Sequence, residues 1–394
     1  MKLIKKIESL LILNFCFFFI ISMNPFFIWS LNDSLVKISI MLIHMALFFF
    51  CKGKEFKRSF LNIYGLAVFL IFTIYIYLPF REHDYLSLGF ASLIPFFTLF
   101  FLNDDLRSRI KFRLIWFFCV ISIFVIVSFV LYTVNIPFPE VEIAQTFRQS
   151  VYDKYHLYFL NIILDSQVIH LPFGVNIYRS SGIFAEPGHF GIFLCLILCL
   201  IDNPFSSRKG QIITTATILT FSLSSYICLI IIYLFHGKHK VIFSIILTMI
   251  LFSLVLYYYD SDLLRKYIFD KVAGGDLLEI ITSRTVFESN LFEFSSFDYI
   301  FGNGRNFLNE FQLIISDIRF PLYRFGLIYY FLYFLIIIYY LVNEININGR
   351  LSQSFKCILV VWFVIFIHRA FMMEAAYMFT FLYLVSVRIN KNVG

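Results

Sequence analysis

The sequence predicts an all-α, polytopic integral membrane protein, and three observations carry that prediction. Of 394 residues, 60% are hydrophobic and only 14% are charged, whereas a soluble domain carries about 25% charged residues. Too little polar surface remains to wrap a water-soluble body of this size. Mean hydropathy is +0.84. Apolar stretches long enough to approach or span a bilayer recur along the whole chain, at 10–29, 36–50, 60–80, 85–102, 114–132, 183–201, 240–258 and 321–342, each judged against the roughly 20 residues a spanning helix needs. Phe (54) and Tyr (24) supply most of the aromatic content, and such rings suit lipid contact and the membrane interface.

In chain order, residues 1–6 are basic and run into the apolar stretch 10–29. That stretch spans and has no small-residue cleavage site, which predicts a retained first helix. Short basic loops at 52–58 and 107–113 alternate with less basic ones at 32–34 and 81–84. The positive-inside rule makes the basic set and the N-terminus cytoplasmic. The long loop 135–181 is then expected outside, its apolar part 155–171 lying along the membrane face, and the second long loop, 260–319, is outside if the stretch 212–235 returns. About 11–12 spans in one domain, 1–394, result.

Two stretches resist simple division. Residues 212–235 have basic flanks on both sides (Arg208, Lys209; Lys238, Lys240) and a central cluster of Ser222, Ser224 and Ser225. They either cross once or return as a re-entrant pair with the serines at the tip; a shared outer site for the residues considered below requires the return. Residues 357–387 pose the same question around His368, Arg369 and Glu374, read either as a recessed hairpin or as an Arg369–Glu374 pair closing an interfacial turn. Charge at membrane depth needs a partner or a function in either case.

The seven cysteines (Cys16, Cys51, Cys119, Cys195, Cys199, Cys228, Cys357) fall in or beside apolar segments, as small apolar fillers rather than a disulfide framework or a zinc site. No Walker loop, dinucleotide fingerprint or His-Glu-x-x-His occurs, which disfavours an ATP-driven pump or a cytosolic nucleotide-sugar enzyme. Internal repeats are not visible, which weakens a transporter reading. No metal, cofactor or nucleic acid is called for; Glu82-His83-Asp84 reads as an exposed turn.

Chemistry-bearing residues concentrate in two places. The first is Tyr178-Arg179-Ser180-Ser181-Gly182-Ile183-Phe184-Ala185-Glu186-Pro187-Gly188-His189-Phe190-Gly191. Pro187 suits a first helical turn, and Glu186 before it suits the positive end of the helix dipole. This is a well-capped helix start on one reading and, with Arg179 and His189 beside several glycines, a seat for a charged substrate on the other. The second is 260–319, with Arg284, then Phe301-Gly302-Asn303-Gly304-Arg305-Asn306, then Asp317-Ile318-Arg319, closing on Arg324-Phe325-Gly326. Arginine forks bind phosphate oxygens bidentately, and several converging at a membrane surface would seat a lipid pyrophosphate. Arg265, Lys266 and Lys271, on an amphipathic stretch, read as solvated.

These residues resemble the O-antigen polymerase (Wzy-type) family of bacterial envelope glycosyltransferases. Ser181-Gly182-Ile183-Phe184 followed by Glu186-Pro187 is similar to its signature. The order that follows is similar over about half the chain: a serine-interrupted stretch, Arg284, Phe301–Gly304, Asp317, then Gly326 opening a span. The related O-antigen ligases usually carry a histidine where Asp317 stands. A described polymerase pattern, an arginine, ten residues and a glycine, is one residue longer here between Arg179 and Gly191. The resemblance implies a polymerase on the outer face of the bacterial inner membrane, using an oligosaccharide repeat unit on undecaprenyl pyrophosphate. Arg179 and Arg284 would hold the pyrophosphate, Arg305 and Arg319 would support them, and Glu186 or Asp317 would act as base, without metal or cofactor. Membrane lipid, a chain-length regulator and a flippase are its implied partners. A ligase with the same donor and a non-enzymatic flippase or exporter are the alternatives.

Overall fold

The computed structural model describes residues 2–23, 25–28, 33–51, 60–77, 94–137, 140–143, 155–159, 161–164, 167–170, 176–236, 296–303, 319–369 and 375–385. Of these, 79% are helical. The stretch 240–258, the loops at 52–58 and 81–84, and most of 260–319 lie outside the described residues.

Helix α1 (Lys2–Ser22) packs along α2 (Asp33–Cys51). A polar tie crosses this seam. His44, fully buried, places Nδ1 3.2 Å from Asn14 Oδ1 and Nε2 2.9 Å from Thr98 Oγ1. Thr98 ends the short helix α4 (Ile94–Thr98), whose Phe96 meets Phe15, Phe18 and Phe19 edge to face, the arrangement that ring quadrupoles favour. Between α2 and α4 in sequence lies α3 (Phe60–Tyr77).

Helix α5 (Asp104–Thr133) begins ten residues before the apolar stretch expected at 114. The Asn103 side chain accepts from Leu106 N at 2.8 Å, and Asp104 and Asp105 occupy the first turn, where both features favour helix initiation. The expected basic loop at 107–113 is therefore helical. Arg109 reaches Asp105 at 2.6 Å and Glu8 of α1 at 3.3 Å. Arg107 and Lys111 are buried, at 7% and 1% exposure. Arg107 pairs with Asp104 and lies 4.4 Å from the centroid of the Tyr383 ring, while Lys111 sits in the field of Asp202 and Glu344. Those carboxylates explain the burial, since an isolated buried cation is strongly unfavourable.

The expectation of an all-α chain is corrected in 135–181. Strands β1 (Glu140–Ile143), β2 (Tyr155–Tyr158) and β3 (Asn161–Leu164) form an antiparallel sheet, with Glu140 opposite Tyr158 and Tyr155 opposite Leu164. Strands β4 (Val168–His170) and β5 (Asn176–Tyr178) pair antiparallel beside it in sequence. Both β3 and β5 pack on α5, at its C-terminal end, where the Tyr178 ring meets Phe129 at a tilt and Tyr132 edge to face.

The chain then enters α6 (Pro187–Cys199), and the ambiguous stretch 212–235 divides into α7 (Arg208–Ile218) and α8 (Leu223–His236). Their contacts require a reversal. The turn joining them touches the start of α6: Ser180 N donates to Leu219 O at 3.0 Å, and Gly191 abuts Thr220 and Ser225. Tyr233, near the end of α8, packs its ring 4.9 Å from Phe205, just before α7. Beginning and end of the pair thus lie together, away from the turn.

The remaining described elements are α9 (Ser296–Phe301), α10 (Arg319–Asn348), α11 (Gln353–Arg369) and α12 (Ala375–Val385). Helix α11 starts beside the end of α8, where Gln353 donates to Phe235 O, and runs past Cys199 to reach Tyr330 with Phe366. Helix α12 returns: Tyr377 donates to Ser22 O at 2.7 Å, and Tyr383 lies under Arg107. Residues 357–387 therefore also reverse, the side chains of His368 and Arg369 and all of Glu374 lying outside the described residues. Cys195, Cys199, Cys228 and Cys357 are buried free thiols where α6, α8 and α11 meet, with Cys199 Sγ 3.8 Å from Cys357 Sγ.

Two described helices are long and apolar enough to cross a bilayer, Asp104–Thr133 and Pro321–Asn346. The described bundle has two unlike ends. One gathers Glu8, Asp104 to Lys111, Arg208 and Lys209; the other carries the strands, Tyr178 to Gly191 and the α7–α8 turn.

Gly210 tests this packing. The Ser207 hydroxyl caps α7 by accepting from Gly210 N at 3.0 Å, and a Cβ at Gly210 would fall on the Pro204 carbonyl. Gly210→Ala is expected to destabilise the protein by about 1–3 kcal/mol, the usual range for forced overpacking. Thermal unfolding in detergent followed by tryptophan fluorescence reads this, and an unchanged midpoint would contradict the packing of α7 on the 204–207 turn.

Candidate functional site

Arg179 directly follows β5, and its position is set by hydrogen bonds on both sides. Its backbone N donates to Gln167 O at 3.3 Å, and its Nε donates to Thr220 O, on the α7–α8 turn, at 3.4 Å. The next residue, Ser180, donates its backbone N to Leu219 O. Two consecutive residues are thus fastened to two consecutive residues of the turn. Tyr226 closes the turn from within by donating its hydroxyl to Ile218 O at 2.8 Å, and it lies within electrostatic range of the Arg179 guanidinium.

A buried polar chain holds this segment from below. Asn161 Nδ2 donates to the Tyr178 hydroxyl at 2.6 Å, the Tyr178 hydroxyl and Ser128 Oγ lie 2.9 Å apart, and Ser128 donates to Tyr158 O at 3.0 Å. With Asn161 and Ser128 both donating along it, the Tyr178 hydroxyl is the donor to Ser128. Asn161 Oδ1 also accepts from Gly182 N at 2.7 Å. All three side chains are fully buried. Burial pushes the Tyr178 hydroxyl well above the usual tyrosine range, with Ser128, Asn161 and Ser180 opposing the shift, so it stays a neutral donor. Gly182, at φ +59°, turns the chain from this network toward α6, in a conformation that favours glycine.

Glu186 occupies the position before α6 in extended backbone (φ −137°, ψ 140°), and Pro187 fills the first turn. Its backbone carbonyl accepts from His189 N and Phe190 N at 3.1 and 3.3 Å, but its carboxylate makes no capping hydrogen bond. Instead Glu186 Oε2 lies 3.5 Å from His189 Nε2, one turn on. A carboxylate and an imidazole at a helix N-terminus can together accept and pass on a proton. The hydroxyls of Ser181 and Ser225 are fully buried and make no hydrogen bond among the described residues, so this region holds polar capacity that the described protein groups leave unused.

At the same end of the bundle, the second motif region closes on itself. Gly302 (φ +76°) and Gly326 (φ +71°) interlock: a Cβ at Gly326 would strike the Ile300 carbonyl, and one at Gly302 would strike that of Arg324. Asn303 N donates to Tyr323 O at 2.8 Å, and Tyr75 at the end of α3 donates its hydroxyl to Phe325 O at 2.6 Å. Gly326 breaks α10 near its start. Gly302 and Gly326, part of the order read in sequence, thus join α9 and α10, with Tyr75 of α3 tied to the junction; Gly304 lies outside the described residues.

Of the residues expected to act, Arg179 and Glu186 lie in one compact segment with His189. Arg319 begins α10, with its side chain outside the described residues. Arg284, Arg305 and Asp317 lie outside the described residues altogether. Asn161, Ser128, Thr220 and Tyr226 are placed by the structure alone; the cluster of Ser222, Ser224 and Ser225 was the only pointer in sequence to the turn that contributes Thr220. Among the described residues no group of three or more His, Cys, Asp or Glu is arranged to hold a metal ion. No protein-family model, curated protein or solved structure matches the chain.

The buried chain predicts coupled losses. Asn161→Ala leaves Gly182 N without its acceptor and removes the Asn161 donor from the Tyr178 hydroxyl, and should cost about 1–3 kcal/mol. Tyr178→Phe should cost a similar amount, and the double variant less than the sum, because both substitutions break one network. Melting temperatures of the three purified variants decide; strictly additive losses would mean that the two side chains act independently.

Proposed function

We propose that this chain is a multi-pass membrane glycosyltransferase that polymerises polysaccharide repeat units, such as O-antigen or capsule, carried on undecaprenyl pyrophosphate. The observation that carries the reading is the fastening of Arg179 to the α7–α8 turn beside the start of α6. A fork-shaped cation, a carboxylate with a neighbouring imidazole, and buried hydroxyls share one end of the bundle. Leaving-group stabilisation and proton removal require these groups.

Membrane residence is supported by the surface of α10, where Leu327, Phe331, Phe334, Ile338, Val342 and Ile345 are all exposed. They recur every three to four residues, an apolar stripe that lipid covers and water would not tolerate. The cation-bearing end, with Arg107, Arg109, Lys111, Arg208 and Lys209, suits the cytoplasmic side of a bacterial inner membrane. The end bearing the strands and Arg179 would then face outward.

In the proposed reaction a hydroxyl of the incoming lipid-linked unit attacks the anomeric carbon of the growing chain. A new glycosidic C–O bond forms, and the bond from that carbon to the pyrophosphate breaks. The electron pair leaves with undecaprenyl pyrophosphate, whose charge is held by Arg179 and Arg284 with Arg305 and Arg319 in support. The hydroxyl proton passes to Glu186, and onward to His189; Asp317 is the second candidate base. The donor already carries its activation, so no nucleotide enters.

Two measurements test this reading. Deleting the protein should leave a surface glycan of single repeat units in place of long chains, visible on a gel of the envelope glycan; complete loss of the single-unit product would indicate a ligase or a flippase instead. In membranes supplied with purified lipid-linked repeat unit, Arg179→Lys and Arg284→Lys should each polymerise at least about tenfold more slowly than wild type, because lysine keeps the charge but loses the bidentate fork. Lys271→Ala should stay near normal, protein levels being equalised by immunoblot. Wild-type rates in both lysine variants would remove the fork from the mechanism.

A further inference from the structure

The turn that holds Arg179 contains a feature that holding Arg179 does not explain. Phe221 adopts φ +45°, a left-handed conformation that is rare and strained for a bulky side chain. Such strain persists only where the surroundings over-determine it, and here they do. Ser180 N to Leu219 O, Arg179 Nε to Thr220 O, the Tyr226 hydroxyl to Ile218 O and the Thr220 hydroxyl to Thr217 O fix every residue from 217 to 220. Ser222 Oγ and Ser224 Oγ, 3.1 Å apart, follow immediately. A glycine at 221 would turn the chain without strain. Instead the position carries a half-buried aromatic ring, 6.3 Å from that of Phe129.

We propose that Phe221 is the specificity-determining platform for the first sugar of the substrate, the one bonded directly to the lipid pyrophosphate. The proposal rests on the reading of Arg179 as a seat of that pyrophosphate. Phe221 is the next residue after Thr220, whose carbonyl holds the Arg179 side chain. Phe221 thus directly follows the residue that holds the group read as binding phosphate, in the order in which a sugar directly follows the phosphate that carries it. The C–H face of a pyranose is apolar and carries partial positive charge, and it complements the negative face of an aromatic ring. The half-buried Ser224 hydroxyl, bonded to that of the buried Ser222, supplies a hydrogen-bonding group for the rim of the same sugar. The turn thus joins a phosphate-binding cation to a sugar-binding ring.

The test is binding of three ligands to the purified full-length protein in nanodiscs: undecaprenyl pyrophosphate alone, the same carrier bearing one N-acetylglucosamine, and the same carrier bearing one galactose. Wild type should bind the better of the two sugar-bearing carriers more tightly than the bare one. Phe221→Ala should weaken that complex about tenfold, the equivalent of about 1.4 kcal/mol, and leave the bare carrier unchanged; Phe221→Trp should retain it. Phe221→Gly should melt at or above the wild-type temperature because glycine relieves the strain, yet lose the sugar-bearing carrier as alanine does, which separates lost recognition from lost folding. Equal weakening of all three ligands by Phe221→Ala would make Phe221 structural and overturn the proposal. So would wild-type affinity in Phe221→Ala or in Phe221→Gly. If wild type binds sugar-bearing and bare carriers alike, the platform fails while the pyrophosphate reading stands; if it binds none of them, both fail.

Discussion

The reversal of the chain at Leu219 to Ser222 is the constraint on which the candidate site depends. Without it, the segment leaving β5 would lose the acceptors that hold Arg179 and Ser180 beside α6. With it, two backbone carbonyls of the turn accept from Ser180 N and Arg179 Nε, and Gly191 lets the turn close onto α6, since a Cβ there would collide with Ser225. These contacts are individually modest, about 1 kcal/mol each. Their effect is geometric: they fix where a cation stands relative to a helix N-terminus. The same economy appears at Gly302 and Gly326, where two left-handed glycines bring α9 and α10 into backbone contact and the Tyr75 hydroxyl of α3 bonds to the junction.

The buried charges at the opposite end serve a different purpose. Arg107, Lys111 and Glu344 are at least nine-tenths buried, and each has an opposite charge or an aromatic face close by. Such an arrangement joins α5, α10 and α12 with direction and register that greasy packing alone does not supply, at the expense of desolvation. Arg109 extends it to α1 through Glu8. That end reads as the structural anchor of the described bundle, and the strand-bearing end as the place where polar groups remain available for chemistry.

Much of this was legible in the sequence. Hydropathy gave helices along the chain, and the serine cluster between basic flanks marked where 212–235 would divide. Pro187 marked the start of α6 because its ring suits the first turn. Other features left no trace, for physical reasons. Strand β3 is buried at all four positions, and β4 and β5 have three residues each, so no period-2 pattern could form over a useful window. Residues 107–113 read as a short basic loop because Glu8, Asp202 and Glu344, which lie near Arg109 and Lys111, are distant in sequence, while the nearby Asp104 and Asp105 pair with Arg107 and Arg109 only once the stretch is helical. Asn161 carries no motif at all; its importance comes from a tyrosine 17 residues away and a glycine 21 residues away. Phe221 was one phenylalanine among 54, and only its backbone conformation distinguishes it.

One distance measures the α7–α8 reversal directly. Spin labels at Gln211 and Leu234, both exposed, can be placed in the full-length protein in nanodiscs and their separation read by pulsed electron resonance. Packed antiparallel helices whose axes lie about 8–10 Å apart predict labels within roughly 20 Å of each other. A single continuous helix through 212–235 would hold them about 35 Å apart at 1.5 Å per residue, and a distribution centred there would contradict the turn, the placement of Arg179 and the function built on them.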